Sequence, residues 1–402
     1  MHAPEILGKA THQQTRQINH RLVLRTIYDR GSVSRADVAR STGLTRSTVS
    51  DVVEQLLGDG LVREIGRGQS TGGKAPILLE VPADARHLIG LDVGDTQISG
   101  AIVNLRGEVR QALEVPLDGR DGDQALERLD ELLERLLAAT DRPLLGVGLG
   151  TPGLIDTSTG TVRWAVNLDW RDLPLGRHLG ERTGLPVHVA NDSQAAALAE
   201  YTFGGHPNAR SMVVIRVGRG IGAGIVLDGR LHQGDGFGAG EIGHTAVADN
   251  YRACRCGSTG CLETIASTRA VVQRARELAP HAPESVLHAT VVDGLTFDDL
   301  VRAFEAGDEL AREIVVDAAH QLGRAVGALV GALNVRLIVL VGEMTRLGDP
   351  WLSVVRREAH RSALALLADE TRIEIGRVER NLVAVGAAAL LMTRELGVSP
   401  VV

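Results

Sequence analysis

The chain contains three cysteines, Cys254, Cys256 and Cys261, and all three fall within eight residues. Three thiols cannot build a disulfide framework. The Cys-x-Cys-x4-Cys spacing, on a loop broken by Gly257 and Gly260, lets the sulfurs converge on one point. Zinc prefers a tetrahedral shell of thiolates and imidazole, and His244 supplies the fourth ligand. A closed shell of His244, Cys254, Cys256 and Cys261 leaves no open position, so the ion is expected to be structural. The plainer alternative is three free thiols on a loop.

A second set of polar residues can converge on a ligand. Asn191 and Asp192 follow the apolar run Val187 to Ala190, which reads as a strand, and open α/β sheets bind ligands at strand ends. Glu241 and His244 are three apart, the spacing that puts both on one helical face. His244 can then give one ring nitrogen to the ion and the other to the ligand. The bland reading is that Asp192 caps a helix and Glu241 is a solvated charge.

A third set lies near the N-terminus. Ile18, Leu22, Leu24 and Ile27 recur at near-helical spacing over Arg16 to Asp29, predicting a first helix that Gly31 stops. Ser34 and Asp37 form a capping signal for a short second helix from Arg35 to Arg40, closed by Gly43. Thr45 can cap a third, in which Val49, Val52, Val53, Leu56 and Leu57 face inward until Gly58 and Gly60. Its outward start, Arg46, Ser47, Thr48 and Ser50, consists of hydrogen-bond donors. Two helices joined by a Gly turn, the second polar at its N-terminal end, can seat a recognition helix in a DNA major groove. Arg35 and Thr45, at the two helix starts, belong to the same candidate surface. Leu61 to Ile65 and Ile77 to Val81 read as strands around Gly66 to Pro76, a wing whose Arg67 and Lys74 can reach phosphates. A small helical bundle for protein contacts is the alternative.

The charge distribution agrees with this placement. Residues 1–80 carry 11 Lys and Arg against 8 Asp and Glu, while the whole chain has 43 against 50, so nucleic-acid contact is confined to the N-terminal segment. At 402 residues the chain should hold two to four domains, and 44% hydrophobic with 23% charged residues excludes disordered and fibrous classes. Only 3 Trp, 3 Tyr and 4 Phe count against stacking on single-stranded bases. Without an 18-residue apolar run or a signal-peptide layout, no membrane partner is expected and a cytoplasmic protein is.

Beyond a linker at Val81 to Asp84, strands alternate with helices. Leu88 to Val93 and Ile98 to Val103 flank the turn Gly94, Asp95, Thr96, a helix follows from Asp123 to Thr140, and Leu144 to Leu149 is a buried strand. A similar unit recurs at Met212 to Val217 and Ile225 to Leu227 around a Gly-rich turn from Gly218 to Gly224. The repetition predicts two related α/β lobes with a cleft between them.

Residues 34–62, SRADVARSTGLTRSTVSDVVEQLLGDGLV, resemble the winged helix-turn-helix of bacterial repressors. The body resembles the ROK family (repressors, open reading frames and kinases). It does so through LDVGDT from Leu91, GVGLGTPGLID from Gly146, ANDSQAAALAE from Ala190, GAGEIGH from Gly238, CRCGSTGCLE from Cys254 and VGAAAL from Val385. The resemblance implies a two-lobed actin/hexokinase-like, ribonuclease H-like body. It further implies that Asn191, Asp192, Glu241, His244 and Glu263 hold a sugar, the residue matching Asp192 being the general base in kinases. Three nucleotide segments depart from the kinase pattern. Asp95 replaces the second Gly of Asp-x-Gly-Gly-Thr, Arg219 replaces the Thr of Gly-Thr-Gly, and Gly342, Glu343, Met344 stands for a Gly-rich run.

The expected organisation is a winged helix-turn-helix over 1–82, a first lobe over 83–190 to which a helix at 383–396 returns, and a second lobe with the zinc loop over 191–382. The expected function is a sugar-responsive repressor of carbohydrate genes without kinase activity. Its expected partners are operator DNA, a sugar effector, and further copies in a homodimer or dimer of dimers. The rivals are an ATP-dependent hexose kinase that also binds DNA and a ligand-independent repressor governed by a partner protein.

Overall fold

The computed structural model describes residues 12–69, 75–206, 208–290, 294–378 and 380–398. Helix α1 (His12–Arg30) is followed by the two-residue strand β1 (Val33–Ser34) and by α2 (Arg35–Thr42). The Ser34 hydroxyl accepts from the Asp37 amide while the Asp37 carboxylate accepts from the Ser34 amide, and Gly43 closes the helix in the left-handed region. Helix α3 (Arg46–Gly58) opens on Thr45, whose hydroxyl accepts from the Thr48 amide at 3.2 Å, a cap worth about 1 kcal/mol. Strands β2 (Arg63–Arg67) and β3 (Ile77–Glu80) complete a three-stranded wing in the order β1-β3-β2.

The inward stripe of α1 differs from the periodicity reading. Val23, Leu24 and Ile27 are buried, whereas Ile18 is 60% and Leu22 37% exposed. Helix α1 is held along its C-terminal half only, where the other two helices and the body cover adjacent faces. The buried set therefore follows two partners rather than one stripe. The linker is also packed: Val81 is buried, and the Leu105 amide donates to Ala83 O at 2.9 Å.

The first lobe runs β4 (His87–Val93), β5 (Gln97–Asn104), β6 (Val109–Pro116), α4 (Gly122–Leu137) and β7 (Leu144–Thr151). A small sheet follows, made of β8 (Leu154–Asp156), β9 (Thr161–Ala165) and β10 (Trp170–Leu173), then α5 (Leu175–Thr183), β11 (Val187–Asn191) and α6 (Asp192–Phe203). The second lobe begins with β12 (Met212–Val217), β13 (Ile221–Leu227) and β14 (Arg230–His232). Helices α7 (Glu263–Ala266), α8 (Thr268–Leu278), α9 (Leu287–Thr290), α10 (Phe297–Glu305) and α11 (Glu309–Leu333) lead to β15 (Leu337–Val341). The chain then forms α12 (Gly348–Ser362), α13 (Ala365–Glu370), β16 (Arg372–Ile375) and α14 (Leu382–Leu396).

The two main sheets share one plan. Their orders are β11-β7-β4-β5-β6 and β16-β15-β12-β13-β14. In each, an antiparallel three-strand meander carries two parallel strands on the same side of its first strand. Helix α14 lies on β4 and β7, and α6 packs between α14 and the second sheet. The turn between β12 and β13 is shorter than expected, because Ile221 to Gly224 already pair with β12. Gly222 and Gly224 are strand residues on which α6 rests: a Cβ at either would lie 2.4 Å from Ser193 Oγ or 2.3 Å from Ala197 Cβ.

The N-terminal unit is docked on this body through one continuous core. Val23, Leu24 and Ile27 of α1 pack in a cluster with Leu105 and with Leu391, Met392 and Leu396 of α14, each fully buried side chain stabilising by about 1.5–3 kcal/mol. The Tyr28 hydroxyl donates to Leu105 O at 2.6 Å, and the Arg106 guanidinium lies 4.1 Å from the Tyr28 ring centroid. Among the described residues no helix is long and apolar enough to cross a membrane.

Candidate functional site

The cleft between the lobes has a volume of 570 Å³ and is lined from both sides. The strand end at β11 places Asn191 and Asp192. Asn191 caps α6, its Oδ1 accepting from the Ser193 amide at 2.9 Å, while its Nδ2 donates to Gly153 O at 3.0 Å. Asp192 is the first residue of α6. One of its oxygens accepts from the Ser193 amide at 2.6 Å and the other from Arg216 Nη1 at 2.8 Å. The helix cap is therefore Asn191, not Asp192.

Glu241 and His244 share a single helical turn ending at His244, with His244 Nε2 3.8 Å from Glu241 Oε2. Burial pushes the Glu241 carboxyl up to about 7, helped by the charges of Asp192 and Glu263. Glu263 accepts from the Ile221 amide at 3.1 Å and pairs with Arg269 at 2.9 Å. All five of these residues line the one cleft.

On the far side of His244 the ligand atoms of His244, Cys254, Cys256 and Cys261 lie within 4.8 Å of one another. Cys254 Sγ is 3.6 Å from His244 Nδ1, and Cys256 Sγ is 3.7 Å from Cys261 Sγ. Thiolates around a tetrahedral ion at 2.3 Å sit about 3.8 Å apart, so the spacing fits and these four residues can hold a metal ion. Burial beside two other thiols pushes Cys261 up to about 12, a cost that a divalent cation at the centre reverses. His244 thus turns Nδ1 to the thiols and Nε2 to the cleft.

Asp95, Arg219 and Glu343 also meet in the cleft. Asp95, in the β4–β5 turn, receives Arg219 Nε from the β12–β13 turn at 2.8 and 3.1 Å, across the two lobes. Glu343 accepts from the Thr268 hydroxyl at 3.1 Å. Sequence reasoning weighed these residues one by one and missed that two of them pair. It also passed over Arg216, Asp92 and Trp164. A lone Arg in the apolar strand Met212–Val217 is a usable signal for Arg216, and Asp92 lies inside the LDVGDT segment from Leu91.

In the N-terminal unit, Arg46, Ser47 and Ser50 face outward at the start of α3, and Arg67 is exposed at the end of β2. The Thr45 hydroxyl is bonded to those of Ser47 and Thr48, at 2.9 and 2.8 Å. Arg35 is tied to Glu64 at 2.9 Å. Lys74 lies outside the described residues.

The sequence pattern of the ROK family matches residues 88–394, and that of the MarR family matches residues 18–65. The chain belongs to the ROK family. A putative xylose repressor of Caldicellulosiruptor sp. strain Rt8B.4 is 32% identical over 388 residues, covering 95% of this chain and 97% of the relative. A glucokinase of Halalkalibacterium halodurans is 36% identical over 318 residues, which are 77% of this chain and 96% of the enzyme. Among solved structures, a ROK family transcriptional regulator, a homolog of the E. coli MLC protein, superposes with a TM-score of 0.83 at 26% identity, covering 96% of this chain and 98% of that one. The fold of this ROK protein is thus a winged helix on a two-lobed, hexokinase-like body. The repressor-type relatives align along nearly the whole chain, whereas the glucokinase aligns over a share of about the body's size.

Proposed function

We propose that the protein is a sugar-responsive DNA-binding regulator, a repressor of carbohydrate genes in the cytoplasm, and not a kinase. The observation that carries this reading is the Asp95–Arg219 ion pair. It joins the two hairpin turns where the family's kinases would hold nucleotide phosphates, and it fills that end of the cleft with protein charge. The other end keeps Asn191, Asp192, Glu241, His244 and Glu263 for a polyhydroxyl ligand. Asp192, held by Arg216 and the Ser193 amide, keeps further acceptor sites for a sugar hydroxyl, so it serves either reading and the ion pair decides between them.

His244, Cys254, Cys256 and Cys261 would hold zinc, whose chemistry here is to fix the loop and the His244 ring rather than to react. Nε2 of His244 and the Glu241 carboxylate then bind adjacent sugar hydroxyls, and Asn191 positions the Gly153 loop. Repressors among the relatives are named for xylose and for N-acetylglucosamine, two neutral sugars compatible with such a polar end.

Coupling to DNA follows from α14. Its fifteen residues span about 22 Å. The helix packs on α6, which begins at Asp192, and its last turn receives Arg21 of α1 through Arg394 O at 3.0 Å. Closing the lobes on a sugar shifts these helices as rigid bodies. In a dimer this alters the spacing of two recognition helices that must match half-sites about 34 Å apart.

Fluorescence anisotropy on an operator obtained by selection tests the proposal. Saturating sugar should lower operator affinity about 5- to 150-fold. Arg46→Ala should weaken DNA binding and leave sugar affinity unchanged, and Glu241→Ala should abolish the response while keeping DNA binding. Unchanged operator affinity in protein shown to bind the sugar rejects the sensor reading. Phosphosugar formation that disappears in Asp192→Asn would favour the kinase.

A further inference from the structure

The cleft has a wall that the five polar residues leave unexplained. Leu154, Trp164 and Val166 line it from the small β8–β9–β10 sheet and the turn after β9. Of the chain's three tryptophans, Trp170 and Trp351 are 4% and 1% exposed, whereas Trp164 is 39% exposed. Val166 beside it is 42% exposed. Two large apolar side chains left open inside one concave site are a binding feature rather than scattered surface.

We propose that the cleft takes a neutral glycoside longer than one sugar unit, with Trp164 as the stacking platform for the second unit. The proposal rests on the sugar reading of the polar end. One face of a pyranose presents axial C–H groups, which pack against the indole ring and its negative face.

The location supports this assignment. Trp164 of β9 pairs with Leu154 of β8, and directly opposed residues share a sheet face. Leu154 Cδ2 in turn comes within 3.1 Å of the Cβ position of Gly238, itself 3.9 Å from Glu241 Cγ. The apolar wall therefore begins where the Glu241 end of the polar set stops. It is also rigidly placed. Gly153 has φ +102°, and a Cβ there would lie 2.1 Å from Trp164 O, so the backbone of Trp164 is pressed on the very residue whose carbonyl Asn191 holds at 3.0 Å. A platform fixed to the first sugar's contacts through one residue is pre-organised for a second ring.

Room and charge point the same way. A volume of 570 Å³ lies in the range of about 300–1,000 Å³ that holds ligands well above monosaccharide size. Trp164 and Val166 line this same space together with Asn191, Glu241 and His244. The cleft is lined by six carboxylates, Asp92, Asp95, Asp192, Glu241, Glu263 and Glu343, against Arg216, Arg219 and Arg255. That excess disfavours a phosphorylated or acidic second unit.

Calorimetry on the full-length protein, with quenching of Trp fluorescence as a second readout, decides the matter. The probes are xylose, glucose, xylobiose, cellobiose and maltose. At least one disaccharide should bind about tenfold tighter than its own monosaccharide. Trp164→Ala should erase that increment while leaving monosaccharide affinity within about twofold, and Trp164→Phe should retain most of it. The proposal is overturned if every disaccharide binds no tighter than its monosaccharide, or if Trp164→Ala weakens both sizes equally. If none of the five sugars binds, this proposal falls, whereas the sensor reading is rejected only by the operator assay.

Discussion

The two lobes are built on the same strand plan, and their equivalent hairpin turns meet across the cleft, yet the two ends of that cleft are finished in opposite ways. At the β4–β5 and β12–β13 turns, Asp95 and Arg219 satisfy each other. In the turn from Glu241 to His244, beside the thiol cluster, the Glu241 carboxyl and the His244 ring line the cleft 3.8 Å apart. The same architecture thus carries one end joined by an ion pair between the lobes and one lined by a cluster of polar side chains beside the thiols. On the proposed reading, a few side chains at the turns decide whether such a cleft reacts or only senses, and the sheets that carry them need not change.

The largest expected effect breaks the open end from behind. His244 bridges the thiol cluster and the cleft, so Cys256→Ala should lower the metal content from about one ion per chain. It should also weaken sugar binding by about 10- to 100-fold by loosening the His244 ring. Elemental analysis with calorimetry on the same preparation checks both; full sugar affinity in metal-free protein would separate the ion from the ligand site.

How much of this contrast can be read without coordinates depends on range along the chain. The helix-turn-helix is legible because its signals are local: Ser34 with Asp37, the Gly43 stop and the Thr45 cap each act within four residues. The convergence of Cys254, Cys256 and Cys261 is legible for the same reason. The two meanders show through their apolar runs, but edge strands such as β6 and β14 do not. They bury one side at most, and VRQALEVP alternates too weakly to stand out. The small sheet that carries Trp164 has strands of three to five residues, below the length at which a period can be counted. The Asp95–Arg219 pair spans 124 residues and exists only once two lobes face each other. Each residue taken alone looks like damage to a phosphate loop.

An intermediate effect is expected below both ends. Asp92 sits at the cleft floor beside Arg216 and Asp192, and burial pushes its carboxyl up to about 6 from an ordinary 3.8. Between those two pH values the folded protein binds more proton than the unfolded chain, so stability falls as pH rises through the window, and the whole cost is present above 6. Asp92→Asn removes that dependence. The variant should match the wild type near pH 4 and exceed it by about 1–2 kcal/mol at pH 7, less than full linkage because Asp92 keeps some exposure. Chemical denaturation at the two pH values measures it; a gap that shrinks toward pH 7 would show that Arg216 holds Asp92 ionised.

The smallest effect belongs to the closed end and tests whether the two ends are separate. Arg219 is half-exposed while Asp95 is largely covered, so their pair should contribute about 0.5–1 kcal/mol, near the upper limit for surface ion pairs. A double-mutant cycle with Asp95→Ala, Arg219→Ala and both together isolates that coupling from the loss of each side chain. The doubly substituted protein should keep its sugar affinity within about threefold of the wild type, because none of the five polar residues contacts either partner and lobe closure is then driven by the ligand alone. A loss of sugar binding as large as that expected for Cys256→Ala would mean that the ion pair holds the lobes in their ligand-ready spacing. The closed end would then be part of the sensor rather than a sealed remnant beside it.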